Sequence, residues 1–184
     1  MKVLVIVGSR NHKGQTAQAA GAVLEGIRRA QGDGESVYLP ELKIERCRQC
    51  DPDGWGLCRR SGQCVIEDDF AGLAKRLKLA DAAVLATPVY FSDLSESLRA
   101  FLDRLRRICM HESGKKGLSG KRVVGVCVAG GGGGGAPACA VSLERVLATC
   151  GCDVVDIVPV RRQNLQMKLD VLRAAGAFLA GQVQ

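Results

Sequence analysis

Aromatic residues are scarce: one tryptophan, two tyrosines and four phenylalanines in 184 residues. Alanine, valine, leucine and glycine supply the apolar content instead, as expected where helices pack closely on a sheet. No apolar run reaches the length needed to cross a bilayer. The opening MKVLVIVGSR carries an apolar run of only about six residues, and no small-residue cleavage site follows it. It reads as a first β-strand rather than a secretory leader, and a cytoplasmic protein is expected. Linkers, internal repeats and a second-domain boundary are all missing. The length suits one domain over residues 1–184. Histidine is limited to His12 and His111, both read as solvated rather than catalytic.

The formal charge is +7. Such an excess suits a nucleic-acid partner, yet lysine and arginine are spread along the chain and no nucleic-acid motif is present. A basic surface with anionic cofactors to attract is the preferred reading. Cysteine is abundant. There are nine, an odd number, so they cannot all pair within one chain. Cys109, Cys127, Cys139, Cys150 and Cys152 sit in apolar contexts and read as small core residues. The other four lie between Cys47 and Cys64, where, in a reducing compartment, metal or redox chemistry is favoured over disulfides.

Strand-like and helix-like segments alternate throughout. Apolar β-branched runs at 2–7, 36–39, 82–86, 121–129 and 153–158 predict five strands. Helical spacing predicts helices at 15–30, from Asp68 and Asp69 onward, at 94–110, at about 138–150 and at 166–180. The 94–110 helix is the clearest, with Leu94, Leu98, Phe101, Leu102, Leu105 and Ile108 on one face. Five strands and five helices in alternation predict an α/β fold with a parallel sheet covered on both faces.

In a doubly wound sheet of order 2-1-3-4-5, strands one and three are neighbours at the switch point, and the loops after them flank one crevice. The first of these loops is Gly8-Ser9-Arg10-Asn11-His12-Lys13-Gly14-Gln15-Thr16. It joins a strand to a helix N-terminus, with hydroxyls and positive charge to hand, and all of this suits a phosphate. An ordinary βα turn with solvated charges is the alternative. The spelling is neither a nucleotide-hydrolase P-loop, because Lys13 precedes Gly14, nor a G-x-G-x-x-G dinucleotide fingerprint, and it holds no nucleophilic cysteine. The second loop is Thr87-Pro88-Val89-Tyr90-Phe91-Ser92, where two of the few aromatics could pack beside a planar ring. The six glycines Gly130 to Gly135 follow the fourth strand. They could let a backbone approach a flat ligand, or form a flexible surface loop.

Gly8-Ser9-Arg10 with Gly14 and Thr16, then Thr87-Pro88-Val89-Tyr90, then Leu98-Arg99-Ala100-Phe101-Leu102-Asp103-Arg104, resemble the NADPH-dependent FMN reductase family over nearly the whole chain. That family usually has lysine where this chain has Arg99, a change that keeps the charge, and its loop after the fourth strand is seldom a plain glycine run. The resemblance implies a flavodoxin-like three-layer sandwich. It implies that Ser9, Arg10, Gln15 and Thr16 hold the FMN phosphate. Pro88, Val89, Tyr90 and Phe91 would border the isoalloxazine, and Gly130 and Gly131 would close its other side. It further implies NAD(P)H as co-substrate, a flavin, quinone or similar small-molecule acceptor or a redox protein, and a homodimer or homotetramer. The cofactor would do the chemistry, so no catalytic residue is named.

Cys47-x2-Cys50-x7-Cys58-x5-Cys64 resembles the compact motif of iron-sulfur flavoproteins, a branch of the same superfamily whose second gap is usually shorter. The four thiolates would hold a [4Fe–4S] cluster, which favours an electron carrier between protein partners. A structural zinc, or free thiols, are the other readings. The connection of about 28 residues is far longer than most within compact domains. Either a metal or packing by Trp55 should order it.

Overall fold

A computed structural model describes residues 1–181. Six strands are present: β1 (Lys2–Val7), β2 (Asp33–Tyr38), β3 (Ala82–Tyr90), β4 (Asp93–Leu94), β5 (Arg122–Ala129) and β6 (Asp153–Arg161). Five helices connect them: α1 (Gln15–Arg29), α3 (Phe70–Leu79), α4 (Glu96–Ile108), α6 (Ala136–Thr149) and α7 (Leu165–Ala180). Two short helical turns, α2 (Leu57–Ser61) and α5 (Glu112–Lys115), were not expected. The parallel sheet runs β2-β1-β3-β5-β6, and β4 is an antiparallel appendage on β3. The five long strands thus take the doubly wound order expected.

The strand chemistry explains the order. β1, β3 and β5 are almost wholly buried, because near-continuous apolar runs need cover on both faces. β2 and β6 are half exposed and form the two edges. Pro159, which cannot donate to a ladder, sits in the edge strand β6. Helices α3, α4 and α6 bury their apolar stripes on one face of the sheet, and α1 and α7 on the other.

The α1–α7 contact is made backbone to backbone. A Cβ on Gly26 would stand 1.9 Å from the carbonyl oxygen of Arg173, and one on Gly176 would stand 2.1 Å from that of Val23. Only glycine fits at either position. Arg173 Nε then donates to Glu25 Oε2 across the same contact, at 2.6 Å.

Two boundaries move in ways that shape the site. β3 continues past residue 86 to Tyr90 and turns back into β4, pairing Tyr90 with Asp93 and Val89 with Leu94. Leu94 therefore belongs to a strand, and α4 starts at Glu96, where the Ser95 hydroxyl accepts from the Leu98 N–H as an N-cap. β6 likewise continues to Arg161 beside Ala129.

Candidate functional site: a crevice at the strand ends and a cysteine segment beside it

The parallel strands all end on the same side, and an open crevice of about 410 Å³ lies beyond the carboxyl ends of β1, β3 and β5. Three loops wall it. Ser9, Asn11, Gly14, Gln15 and Thr16 form one side, Pro88, Val89 and Tyr90 the next, and Gly130 and Gly131, after Val128, the third. Loops distant in sequence meet here because β1 and β3 are sheet neighbours and β5 is next in line.

The first wall is held by its own polar groups. The Ser9 hydroxyl accepts from Asn11 N–H at 3.2 Å, and Asn11 Oδ1 accepts from Lys13 N–H at 2.9 Å. Asn11 thus makes an Asx turn that aims the loop at the N-terminus of α1. No side chain caps that helix, so its first N–H groups point outward unpaired by any cap. Ser9 and Thr16 are buried. The side-chain oxygen of Gln15 is buried without a hydrogen-bond partner among the described residues. A buried orphan acceptor beside uncapped helix N–H groups fits a ligand with an anionic end and a donor to offer.

Most of the sequence-predicted residues are brought together: Ser9, Gln15, Thr16, Pro88, Val89, Tyr90, Gly130 and Gly131 all line the crevice. Two do not. Arg10 is exposed and off the lining. Phe91 is 103% exposed, on a turn that carries it outside the wall made by Tyr90. Asn11 lines the crevice without having been singled out, and so does Gly14, which was quoted in the family motif but given no ligand role. The signal for Asn11 was its amide two residues ahead of Lys13, the spacing of an Asx turn. His12 is not simply solvated. It stacks on Tyr38 with ring centroids 3.9 Å apart, and its Nε2 lies 2.8 Å from Glu41 Oε1. His111 caps α5, accepting from Ser113 N–H.

The cysteine segment leaves β2 on the same side of the sheet. Its ends are clamped together. Asp69 accepts from Lys43 N–H at 2.7 Å, and Asp68 accepts from Glu45 N–H at 2.8 Å. Arg104, from the buried face of α4, closes the clamp. It donates to Asp68 at 2.6 and 2.9 Å, to the Glu45 carbonyl at 3.1 Å and to the Ile66 carbonyl at 3.3 Å, and lies 4.2 Å over the Phe70 ring. The Arg104 and Asp68 side chains are 1% and 6% exposed. Burial alone would push the Asp68 carboxyl up. The hydrogen bonds from Arg104 and from the Glu45 and Phe70 N–H groups outweigh it and hold the group below the usual carboxylate range.

Inside the clamp, Cys47, Cys50, Cys58 and Cys64 all line one small apolar pocket of about 20 Å³, with Trp55, Arg104 and Arg107. Two guanidiniums lie over the Trp55 ring, Arg107 at 4.7 Å and Arg59 at 5.4 Å. The four thiols expected as metal ligands therefore share a pocket but not a ligating geometry. Among the described residues, no three cysteine, histidine or carboxylate side chains stand close enough to hold one ion. Trp55, Arg104 and Arg107 line the pocket alongside the thiols, and Cys50 is exposed. The core cysteines differ. Cys109, Cys127, Cys139 and Cys150 are buried, while Cys152 is partly so. The hydrogen bond that the Cys127 thiol donates to Cys139, together with burial, pushes Cys127 up, and burial pushes Cys152 up to about 11. Such thiols are poor nucleophiles.

A doubly wound sheet with a ligand crevice at its switch point is the flavodoxin-like arrangement. The chain belongs to the NADPH-dependent FMN reductase family, which it matches over residues 1–162. Two relatives are iron-sulfur flavoproteins. That of Methanocaldococcus jannaschii is 30% identical over 71% of this chain and 65% of its own, and one from Archaeoglobus fulgidus is 31% identical over 57% and 46%. The chain thus spans about half to two thirds of the length of these relatives. Among solved structures, an NAD(P)H:quinone oxidoreductase from Methanothermobacter marburgensis superposes with a TM-score of 0.72 at 21% identity, covering 100% of this chain and 98% of that one. An archaeal flavodoxin superposes with a TM-score of 0.62 at 16% identity, covering 98% and 96%. No described helix is long and apolar enough to cross a membrane.

Proposed function

We propose that the protein is an FMN-dependent NAD(P)H oxidoreductase that reduces a flavin, quinone or similar acceptor. The observation that carries the reading is the crevice itself, lined by the uncapped N-terminus of α1, the orphan Gln15 oxygen next to Gly130, and the Pro88-Val89-Tyr90 strand end. Bound there, FMN would supply reversible two-electron chemistry. The chain's own residues bind and orient. Ser9, Thr16 and the first N–H groups of α1 take the phosphate, with Arg10 and Lys13 adding positive potential from outside. Gln15 accepts from the ligand above it. The Pro88-Val89-Tyr90 backbone and side chains border the ring, and Gly130 and Gly131 close on its other side because they carry no side chains. No side chain is assigned a proton transfer. Family membership supports the cofactor and co-substrate. Cytoplasmic residence and a homodimer or homotetramer complete the proposal.

A second reading is an iron-sulfur electron carrier working with protein partners. It is favoured by the convergence of Cys47, Cys50, Cys58 and Cys64 on one pocket beside two guanidiniums, and by the names of the relatives. A [4Fe–4S] cluster on those thiolates would supply one-electron chemistry, once the segment had opened to admit it. An absorption spectrum and metal analysis of anaerobically purified protein test both readings. A flavin spectrum with NAD(P)H oxidation carries the first. About four irons and four sulfides per chain carry the second, whereas one zinc, or none with all four thiols alkylated, removes it. Protein that stays colourless after FMN addition removes the first.

A further inference from the structure

The turn that carries Phe91 is unusual for its sequence. Tyr90 pairs with Asp93, so Phe91 and Ser92 are the two central residues of a tight hairpin. Both have positive φ, +49° and +65°. That is the pattern of a type I′ turn, which asparagine and glycine fill at little cost. A bulky aromatic residue in this region is rare.

Nothing in the packing repays the strain. The Phe91 ring is fully exposed, so it gains no burial. The turn is nevertheless held firmly. The Thr87 hydroxyl accepts from Ser95 N–H at 3.0 Å, the Asp93 carboxylate accepts from Leu94 N–H at 2.8 Å, and Arg99 pairs with Asp93. On its far side Ser92 abuts the end of the glycine run. A Cβ on Gly135 would meet Ser92 Oγ at 2.6 Å, and Gly135 itself has φ +80°. The tip of the hairpin and the far end of the glycine run are therefore neighbours, each continuing a segment that lines the crevice, through Tyr90 on one side and Gly130 and Gly131 on the other. Tyr90 lines the crevice, and Phe91, the next residue, stands outside it. Strain held at such a place is a mark of function rather than of folding.

We propose that Phe91 is a binding residue for the second substrate: its exposed face stacks on a flat unsaturated ring as that ring enters the crevice over Tyr90. The inference rests on the oxidoreductase reading above and narrows its substrates to those with a flat ring, either the nicotinamide of the donor or the ring of the acceptor. A ring landing on Phe91 would bury both faces and recover the area that the free protein leaves in water.

The test separates flat from ringless acceptors. Wild type, Phe91→Ala, Phe91→Trp and the double variant Phe91→Asn/Ser92→Gly are loaded with FMN and assayed with NAD(P)H and either menadione or ferricyanide. The ratio of kcat/KM for menadione to that for ferricyanide should fall about tenfold in Phe91→Ala and in the double variant. It should return to within about twofold in Phe91→Trp. The double variant should also melt a few degrees higher, because asparagine and glycine relieve the turn. A rise of about tenfold in the KM for NAD(P)H with ferricyanide as acceptor, the ratio unmoved, would support the stack and assign it to nicotinamide. Unmoved ratio and donor KM would overturn the inference, and so would losses that track a fall in Tm. Titration of FMN-loaded protein with menadione reads the stack without turnover. A Kd about tenfold weaker in Phe91→Ala supports it even if no NAD(P)H is oxidised, in which case the oxidoreductase reading alone fails; equal Kd values overturn it.

Discussion

The crevice and the cysteine segment both begin at the carboxyl ends of strands, yet they are built by opposite means. The crevice is made of backbone: short loops at strand ends, an uncapped helix N-terminus and two glycines, all positioned by strand order. The segment is made of side chains: residues between β2 and α3 with little regular structure of their own, closed by one buried guanidinium and two carboxylates. Damage to the first should therefore be local and small, and damage to the second should spread through the segment.

The largest effect is expected at Arg104. Arg104→Ala strands the Asp68 carboxylate and two backbone carbonyls in a buried site, at a cost of about 3–5 kcal/mol. Thermal or denaturant unfolding measures that loss. Limited trypsin digestion locates it, because Arg46, Arg48, Arg59 and Arg60 should become the first cleavage sites while the FMN affinity of the folded protein stays near that of wild type. Intact resistance to trypsin would show that the segment is ordered by something other than the clamp.

Acid should reach the same clamp more gently. The folded Asp68 carboxyl is held below its unfolded value, so its contribution is fully present above about pH 4 and is lost as pH falls through the folded value. Asp68→Asn should flatten the dependence of unfolding free energy on pH in that acidic window, and leave it unaltered near neutrality.

On the crevice side the effects are smaller. Thr16→Ala removes a buried hydroxyl from the crevice lining, the group proposed to take the phosphate, and should weaken FMN binding by about 1.5–3 kcal/mol in a flavin fluorescence titration. Arg10→Ala should cost less, about 0.2–1 kcal/mol, and its effect should fade with salt, because Arg10 is exposed and off the lining. Equal losses at both positions would mean that Arg10 swings onto the phosphate when the ligand binds.

How far the sequence reveals each region follows from the same contrast. The five main strands and their order were legible, because near-continuous apolar runs separated by helical spacing have few other solutions. The crevice followed from topology. The clamp did not follow, although a trace of it was present. Phe101, Arg104, Leu105 and Ile108 share the buried face of α4, so an arginine lies on an apolar stripe. Asp68 was legible only as an acid near a helix start, whereas its partner lies 36 residues away. The hairpin at Phe91 and Ser92 escaped notice because it has neither asparagine nor glycine, the residues by which such turns are recognised. Spacing placed four cysteines in one segment, but could not show that Trp55, Arg104 and Arg107 line the same pocket.

The glycine contact between α1 and α7 has a consequence for how the chain is made. Glu25 and Arg173 meet across 148 residues of sequence. When α1 leaves the ribosome, the surface that Gly26 presents has no partner, and none arrives until α7 has been synthesised. During that interval the Ala- and Val-rich stripe of α1 is covered on the sheet side only. A pause in translation before residue 165 should therefore leave a nascent chain whose apolar face is open to chaperones and to its neighbours on the same message.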